Sequence, residues 1–329
     1  INTLTPLFLI CFYCTLGGYC LKYTVANFGN IFNANWGTVG VDSGDFFGGF
    51  ISDTVPAIIY GLIFLVITVV VVLGGVAGGI EKFSVIAMPA LFVMLLIVIV
   101  RSVTLPGAMD GIAFMFKPDW SVFHGSGWIT VLAAAGGQMF FSLSISSGCI
   151  IAYGSYLGKS ENLEKNSALI ITADTVVAIL AGIAVMPAVF AFGLEPDAGP
   201  SLLFVTLQTV FNSMGGFGAL FGFIFYFLVL IAALTSSVGM LEGAVSSFMD
   251  EQERKGKASS RTFVTIAIGI WATLGSTLVS ADALGGGGLP HIFGFDTWID
   301  TFDLIAEGFL MPLGGLFMVI IMGWLRPGY

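Results

Sequence analysis

GGQMFFSLSISSGCIIAYGSYLGKS, residues 136–160, is the stretch on which the fold turns. Apolar sequence flanks it on one side and runs through it, yet Ser142, Ser144, Ser146, Ser147 and Gly148 fall together in its middle. Gly and Ser weaken a helix. A break that faced lipid would leave peptide groups without partners. Two readings follow from the residues. One is a discontinuous helix whose freed backbone groups line a cavity or grip a ligand. The other is an unbroken helix whose serines bond back to their own carbonyls.

Working outward, similar apolar runs recur at about 5–25, 56–73, 85–104, 128–157, 166–192, 217–249, 262–280 and 303–325. Each is close to the roughly 20 residues that a helix needs to cross a bilayer core. None alternates apolar and polar residues with period two, which argues for helices rather than a barrel. The 329 residues are 57% hydrophobic and only 9% charged, and the mean hydropathy is +1.00. Soluble domains carry about 25% charged residues, so a water-soluble globule is excluded. The net charge of −9 offers no basic footprint for nucleic acid. The chain reads as an all-α membrane protein, a bundle of about eight transmembrane helices with a discontinuity near 142–148. It begins without Met and without a signal-peptide layout, as a piece of a longer protein would.

Basic residues set the orientation. With the 74–84 loop placed inside, eight of the eleven Lys and Arg (Lys82, Lys159, Lys165, Arg254, Lys255, Lys257, Arg261, Arg326) lie on the cytoplasmic side. Lys22, Arg101 and Lys117 lie outside, as the positive-inside rule allows. MDEQERKGKASSR (249–261) is expected as a solvated loop, and 24–53 as a long outer loop. The amphipathic segment 193–214 should form a short hairpin over the outer mouth.

A second polar interruption lies in IAALTSSVGMLEGAVSSFMDE (231–251). The hydroxyls of Thr235 and Ser236 and the carbonyl of Ala232, one turn earlier, form a group of hard oxygen donors. Without a carboxylate among them they suit a monovalent cation; helix–helix glue is the other reading. Asp174, Glu242, Asp303 and Glu307 are carboxylates in or at the edge of apolar spans, where charge is costly and marks a pathway or a pair. No nearby base in the sequence is an evident partner for Asp174 or Glu242.

Enzyme motifs fail. GSYLGKS (154–160) has three residues between its glycines where a phosphate-binding loop needs four. His124 and His291 stand alone in outer loops, and GGGG (285–288) reads as a flexible loop. Cys11 and Cys14 lack a second pair to complete a zinc site and read as packing residues.

Taken together, these motifs resemble the neurotransmitter:sodium symporter family in its bacterial amino-acid-transporting branch. GQMFFSLS followed by S-S-G resembles the family's broken sixth helix, and ALTSS its eighth-helix sodium motif. VLGGVAGGIEKFSVIAMPALF, FKPDW and GLEPDAGPSLLFVTL are also similar. The resemblance implies an incomplete inverted-repeat fold, with 1–329 forming one transporter domain from the family's third to tenth helices. The first two helices and those after the tenth are then missing.

The resemblance also implies residue roles. Ala232, Thr235 and Ser236 belong to one sodium site, and Ser142 and Asp174 to the other. Gln138 and Asp174 fall in the region that holds an anion in animal members, and the Asp174 charge implies chloride independence. Tyr13, Phe141, Ser142, Ser144, Ser146, Ser147, Ser237 and Met240 line the substrate pocket. Asp303 is an outer gate; Asp250 and Tyr156 are inner gates. Both sodium sites are implied to need the missing first helix, and no organic cofactor is implied. Ser146 and Ser147 stand where the family usually has Gly and often a large residue, which favours a small neutral amino acid over an aromatic one. The expected activity is sodium-coupled symport by alternating access in the cell membrane, here a bacterial inner membrane, with the lipid bilayer as partner and no enzymatic step. Proton-coupled or betaine transport on the same broad fold, and a non-transporting membrane scaffold, are the alternatives.

Overall fold

The computed structural model describes residues 3–74, 80–155, 157–158, 160–196, 199–257 and 259–325, with the backbone alone at 80–84. Among these residues all regular structure is helical. The order is α1 (Leu4–Ile31), α2 (Ser43–Ser52), α3 (Thr54–Gly74), α4 (Ile80–Val103), α5 (Ala108–Phe116), α6 (Gly127–Ser142), α7 (Cys149–Ser155), α8 (Leu163–Ala191), α9 (Leu207–Asn212), α10 (Gly218–Arg254), α11 (Arg261–Asp282), α12 (Trp298–Asp303) and α13 (Met311–Ile320). Seven helical stretches are long and apolar enough to cross a membrane, and the last runs from Trp298 to Leu325 through α12 and α13. The eighth expected crossing is split into α6 and α7.

α1 is the centre of the bundle and packs along α10, α3 and α11. Lipid tails are as apolar as Leu, so helix association in a membrane relies on close packing and interhelical hydrogen bonds. α1 uses both. A Cβ at Gly18 would overlap the backbone of Gly61 on α3, and one at Gly275 on α11 would overlap Cys11. Thr15 lies 3.1 Å from the Ser276 hydroxyl and 3.3 Å from that of Ser280. On the neighbouring contacts Thr68 pairs with Ser237 at 2.8 Å, and Ser102 donates to the carbonyl of Ala184 at 2.6 Å. All four cysteines are buried and free, and no cluster of metal-ligating side chains occurs among the described residues. Cys11 donates to the carbonyl of Leu7 at 3.2 Å.

Three expected loops are more ordered than the sequence suggests. α1 continues past Thr24 to Ile31, because Asn27 and Asn30 are held in a buried amide network. Asn27 donates to Gln208 at 2.8 Å and Asn30 to Thr38 at 2.8 Å. The remainder of that outer loop folds into α2, capped by Asp42, which accepts from the N–H groups of Gly44 and Asp45. α10 likewise runs through Asp250 to Arg254, where Glu251 pairs with Arg254 and Lys255. The glycines at 285–288 sit in an ordered turn: Gly287 N–H donates to the carbonyl of Asp282 at 2.8 Å.

The outer hairpin forms as a helical segment: a π turn, Leu202–Thr206, leads into α9. Phe204 and Phe211 carry it onto Tyr19, Tyr23 and Tyr226, with Tyr23 and Phe204 centroids 5.0 Å apart. Before α6, Asp119 caps a short turn, its carboxyl held below the usual carboxylate range by the side chain and N–H of Ser121.

Candidate functional site

α6 ends at Ser142 and α7 begins at Cys149. Between them Ser144 (φ 51°), Ser146 (φ 67°) and Gly148 (φ 80°) adopt left-handed backbone. Only glycine takes that conformation without strain; a non-glycine residue there costs about 1–3 kcal/mol and tends to occur at functional sites. The discontinuous-helix reading of the sequence is therefore the correct one. The chain turns back on itself through Ser144 N–H to Phe141 O and Ile145 N–H to Phe140 O, each 2.9 Å. Ser147 donates to the carbonyl of Ser144 at 2.9 Å.

The break faces a cavity of about 340 Å³ between α1, α6, α7, α10 and α13. Its wall includes Tyr13, Phe141, Ser142, Ser144, Ser147, Thr235, Ser236 and Met240, so much of the expected substrate pocket meets two of the expected sodium ligands there. Tyr13 of α1 and Ser236 of α10 both lie on the cavity wall. Thr235 and Ser236 both donate to the carbonyl of Ala232, at 2.8 and 3.2 Å. The three oxygens are thus gathered on one turn of an unbroken helix. Ser142 donates to both carboxylate oxygens of Asp174 on α8, at 2.8 Å each. Serine hydroxyl and aspartate together make a second oxygen group beside the break.

Other expected positions lie elsewhere. Ser237 is fully buried away from the cavity, donating to the carbonyl of Leu234 at 2.9 Å and pairing with Thr68. Ser237 lies about 100° further round α10 from Ser236, on the side that packs against Thr68 of α3. Ser146 is buried but is not among the lining residues, and does not narrow the cavity. Gln138 on α6 and Asp250 on α10 are exposed. Tyr156 lies outside the described residues. Asp303 is half-buried at the end of α12, and Glu307 follows about one turn later in the π turn Leu304–Leu310. Glu307 rests against Gly137 of α6: a Cβ there would sit 3.4 Å from its Cγ.

Two sequence readings are corrected. Glu242, 1% exposed, is neutralised by Arg261 at the start of α11. His291 is not alone: its Nε2 lies 2.7 Å from Asp282 Oδ1. Asp282 also accepts from the N–H groups of Gly285 and Trp298, at 3.2 and 2.9 Å. The sequence reading also missed Leu9, Cys149, Tyr153, Gly239 and Met311 on the cavity wall. Gly239 and Met240 flank one face of α10 a turn beyond Thr235 and Ser236, and that spacing was the available signal.

A broken membrane helix set against an intact one, with oxygen groups gathered beside a pocket, is an arrangement found in transporters with discontinuous helices. A family model described as the sodium:neurotransmitter symporter family matches residues 54–320. An uncharacterized sodium-dependent transporter of Bacillus subtilis, YhdH, is 34% identical over 95% of the chain and 66% of its own length. One from Haemophilus influenzae is 32% identical over 96% of the chain and 67% of its own length. The crystal structure of MhsT in complex with L-phenylalanine is similar at 36% identity with a TM-score of 0.88, covering 98% of this chain and 70% of that one. The chain belongs to the sodium:neurotransmitter symporter family. It is a cell-membrane protein of a transporter family, not of an enzyme family. It spans about two thirds of the length of these curated relatives.

Proposed function

We propose that the protein is a sodium-coupled symporter of a neutral amino acid that works by alternating access, with 1–329 part of a single transporter domain. The observation that carries this reading is the cavity in which the broken helix meets the Ala232, Thr235 and Ser236 oxygens. One sodium ion takes the lone pairs of that trio once the two hydroxyls turn from the carbonyl toward it. A second lies at Ser142 and Asp174, where a carboxylate offsets its charge. The substrate carboxylate meets Tyr13 and backbone freed at Ser144, while Phe141 and Met240 cover its side chain. Asp303 and Asp250 act as gates at the outer and inner ends. Ion and substrate move the protein between outward and inward forms only through their different affinities for the two.

The substrate is neutral because Asp174 and its serine are the charged feature beside the pocket and are assigned to sodium. Ser146 does not line the cavity and sets no limit on substrate size, whereas Ser147 does line it and favours a small neutral amino acid; MhsT, a relative of known structure, is in complex with L-phenylalanine. Proton coupling loses one of its two candidate carriers, because Glu242 is already paired with Arg261. Asp174 supplies a fixed negative charge, so chloride is not required.

The test is uptake of labelled amino acids into liposomes carrying the full-length protein, under sodium or potassium. Sodium-driven uptake of a neutral amino acid, unchanged when gluconate replaces chloride, is the expected result. Uptake that follows a proton gradient and ignores sodium overturns the sodium assignment. Alanine and phenylalanine as competitors then rank substrate size.

A further inference from the structure

Three basic residues lie on the outer side against the prevailing bias, and two of them are accounted for. Lys22 sits over the rings of Phe46, Phe50 and Tyr60, 5.2 to 5.7 Å from their centroids. Lys117 is exposed in the loop after α5. Arg101 is different. It stands in the last turn of α4, at the mouth of an open apolar groove of about 450 Å³. Val93, Leu96, Ile97 and Val100 form one stripe of that groove and Met214 its far wall.

The guanidinium makes no ion pair among the described residues. Its Nη2 donates to the hydroxyl and carbonyl of Ser213, at 3.1 and 3.4 Å. A guanidinium has five N–H donors in a planar fork, and Nε and Nη1 have no protein partner among the described residues. Snorkelling explains a basic residue at a helix end. It does not explain an unused fork above an apolar channel.

We propose that this groove is a binding site for one anionic phospholipid. The acyl chain lies along Val93 to Val100, and the phosphate takes the free edge of the Arg101 fork. The parts match in depth and charge. The stripe lies within the span, and Arg101 lies at its end, where headgroups begin. Guanidinium and phosphate pair in a bidentate, charge-assisted way. The bound lipid is then one bond from the outer hairpin, because the same guanidinium holds Ser213 in the turn between α9 and α10. This site is independent of the transport reading.

The test is native mass spectrometry of the full chain released from detergent with phosphatidylglycerol or phosphatidylcholine of identical acyl chains. Phosphatidylglycerol should be retained at about tenfold lower concentration, because the choline cation of phosphatidylcholine offsets the charge of its own phosphate whereas phosphatidylglycerol leaves that charge to the guanidinium. Arg101→Gln should lower retention to the phosphatidylcholine level, Arg101→Lys should keep part of the preference, and Lys117→Gln should change nothing. Glycerol phosphate, which has the charge without the chain, should not compete. Equal retention of the two lipids, an undiminished preference in Arg101→Gln, or full competition by glycerol phosphate overturns the proposal, the last in favour of a soluble-anion site. If Arg101→Gln does not fold, hydrogen exchange of the unmodified chain decides. Protection at 93–104 and 213–214 by phosphatidylglycerol alone supports the site, and its absence overturns it.

Discussion

α6–α7 and α10 face the same cavity and contribute oxygen to it by opposite means. The first exposes backbone by breaking, with two serines held at positive φ. The second stays helical for 37 residues and gathers Ala232, Thr235 and Ser236 on one turn. α6 is mostly exposed among the described residues, but the break itself is buried from Ser146 to Cys149, and α10 is buried along one face by α1, α3 and α4. Strain is thus placed in a buried turn between two short helices, and fixed donors on one long helix. A site built this way has one wall set by backbone strain and one set by a continuous helix.

The largest expected effect tests the fixed wall. Thr235→Ala with Ser236→Ala should raise the sodium concentration for half-maximal uptake by about a hundredfold or more, since each contact to a charged partner is worth about 1.5–3 kcal/mol. Unchanged sodium dependence would sink the role given to α10. Next is the support of that wall at its inner end. Arg261→Gln removes the guanidinium paired with the buried Glu242 carboxylate and should cost about 3 kcal/mol in thermal unfolding. Adding Glu242→Gln should recover much of it; no recovery would mean that the ion pair is not the cause.

The strained wall gives smaller effects. Gly148→Ala puts a side chain at φ 80° and should destabilise by about 1–2 kcal/mol. Ser144→Gly relieves strain at φ 51°; after the entropy cost of glycine a gain of about 0.5 kcal/mol is expected. A loss in both variants would mean that the break is not set by backbone strain. Of similar size is Ser237→Ala, which removes the Thr68 contact and should cost about 0.6 kcal/mol. Uptake should stay at the parent rate, because Ser237 faces α3 rather than the cavity. Slower uptake would return Ser237 to the substrate wall.

Much of this contrast is legible in the sequence. Apolar run length alone marks the crossings, and the Ser-Gly cluster at 142–148 marks the break, because local composition decides both. Two kinds of feature are not legible. One is side-chain direction where neighbours are alike: Thr235, Ser236 and Ser237 are all hydroxyls, and only packing says which two reach the cavity. The other is pairing at a distance. Glu242 finds Arg261 because α11 packs back along α10. Asn27 extends α1 because Gln208 arrives from 181 residues away. Hydrophobic periodicity carries no record of such partners.

Cys149 gives the cavity a chemical consequence. It opens α7 at the break, with Sγ 3.8 Å from the carbonyl of Ser147, and is buried like Cys11, Cys14 and Cys20 of α1, but it forms part of the cavity wall and they do not. The chain therefore carries a native reporter at its site against a quiet background. The rate at which a small thiol reagent labels Cys149 measures how often the pocket stands open, with no residue introduced.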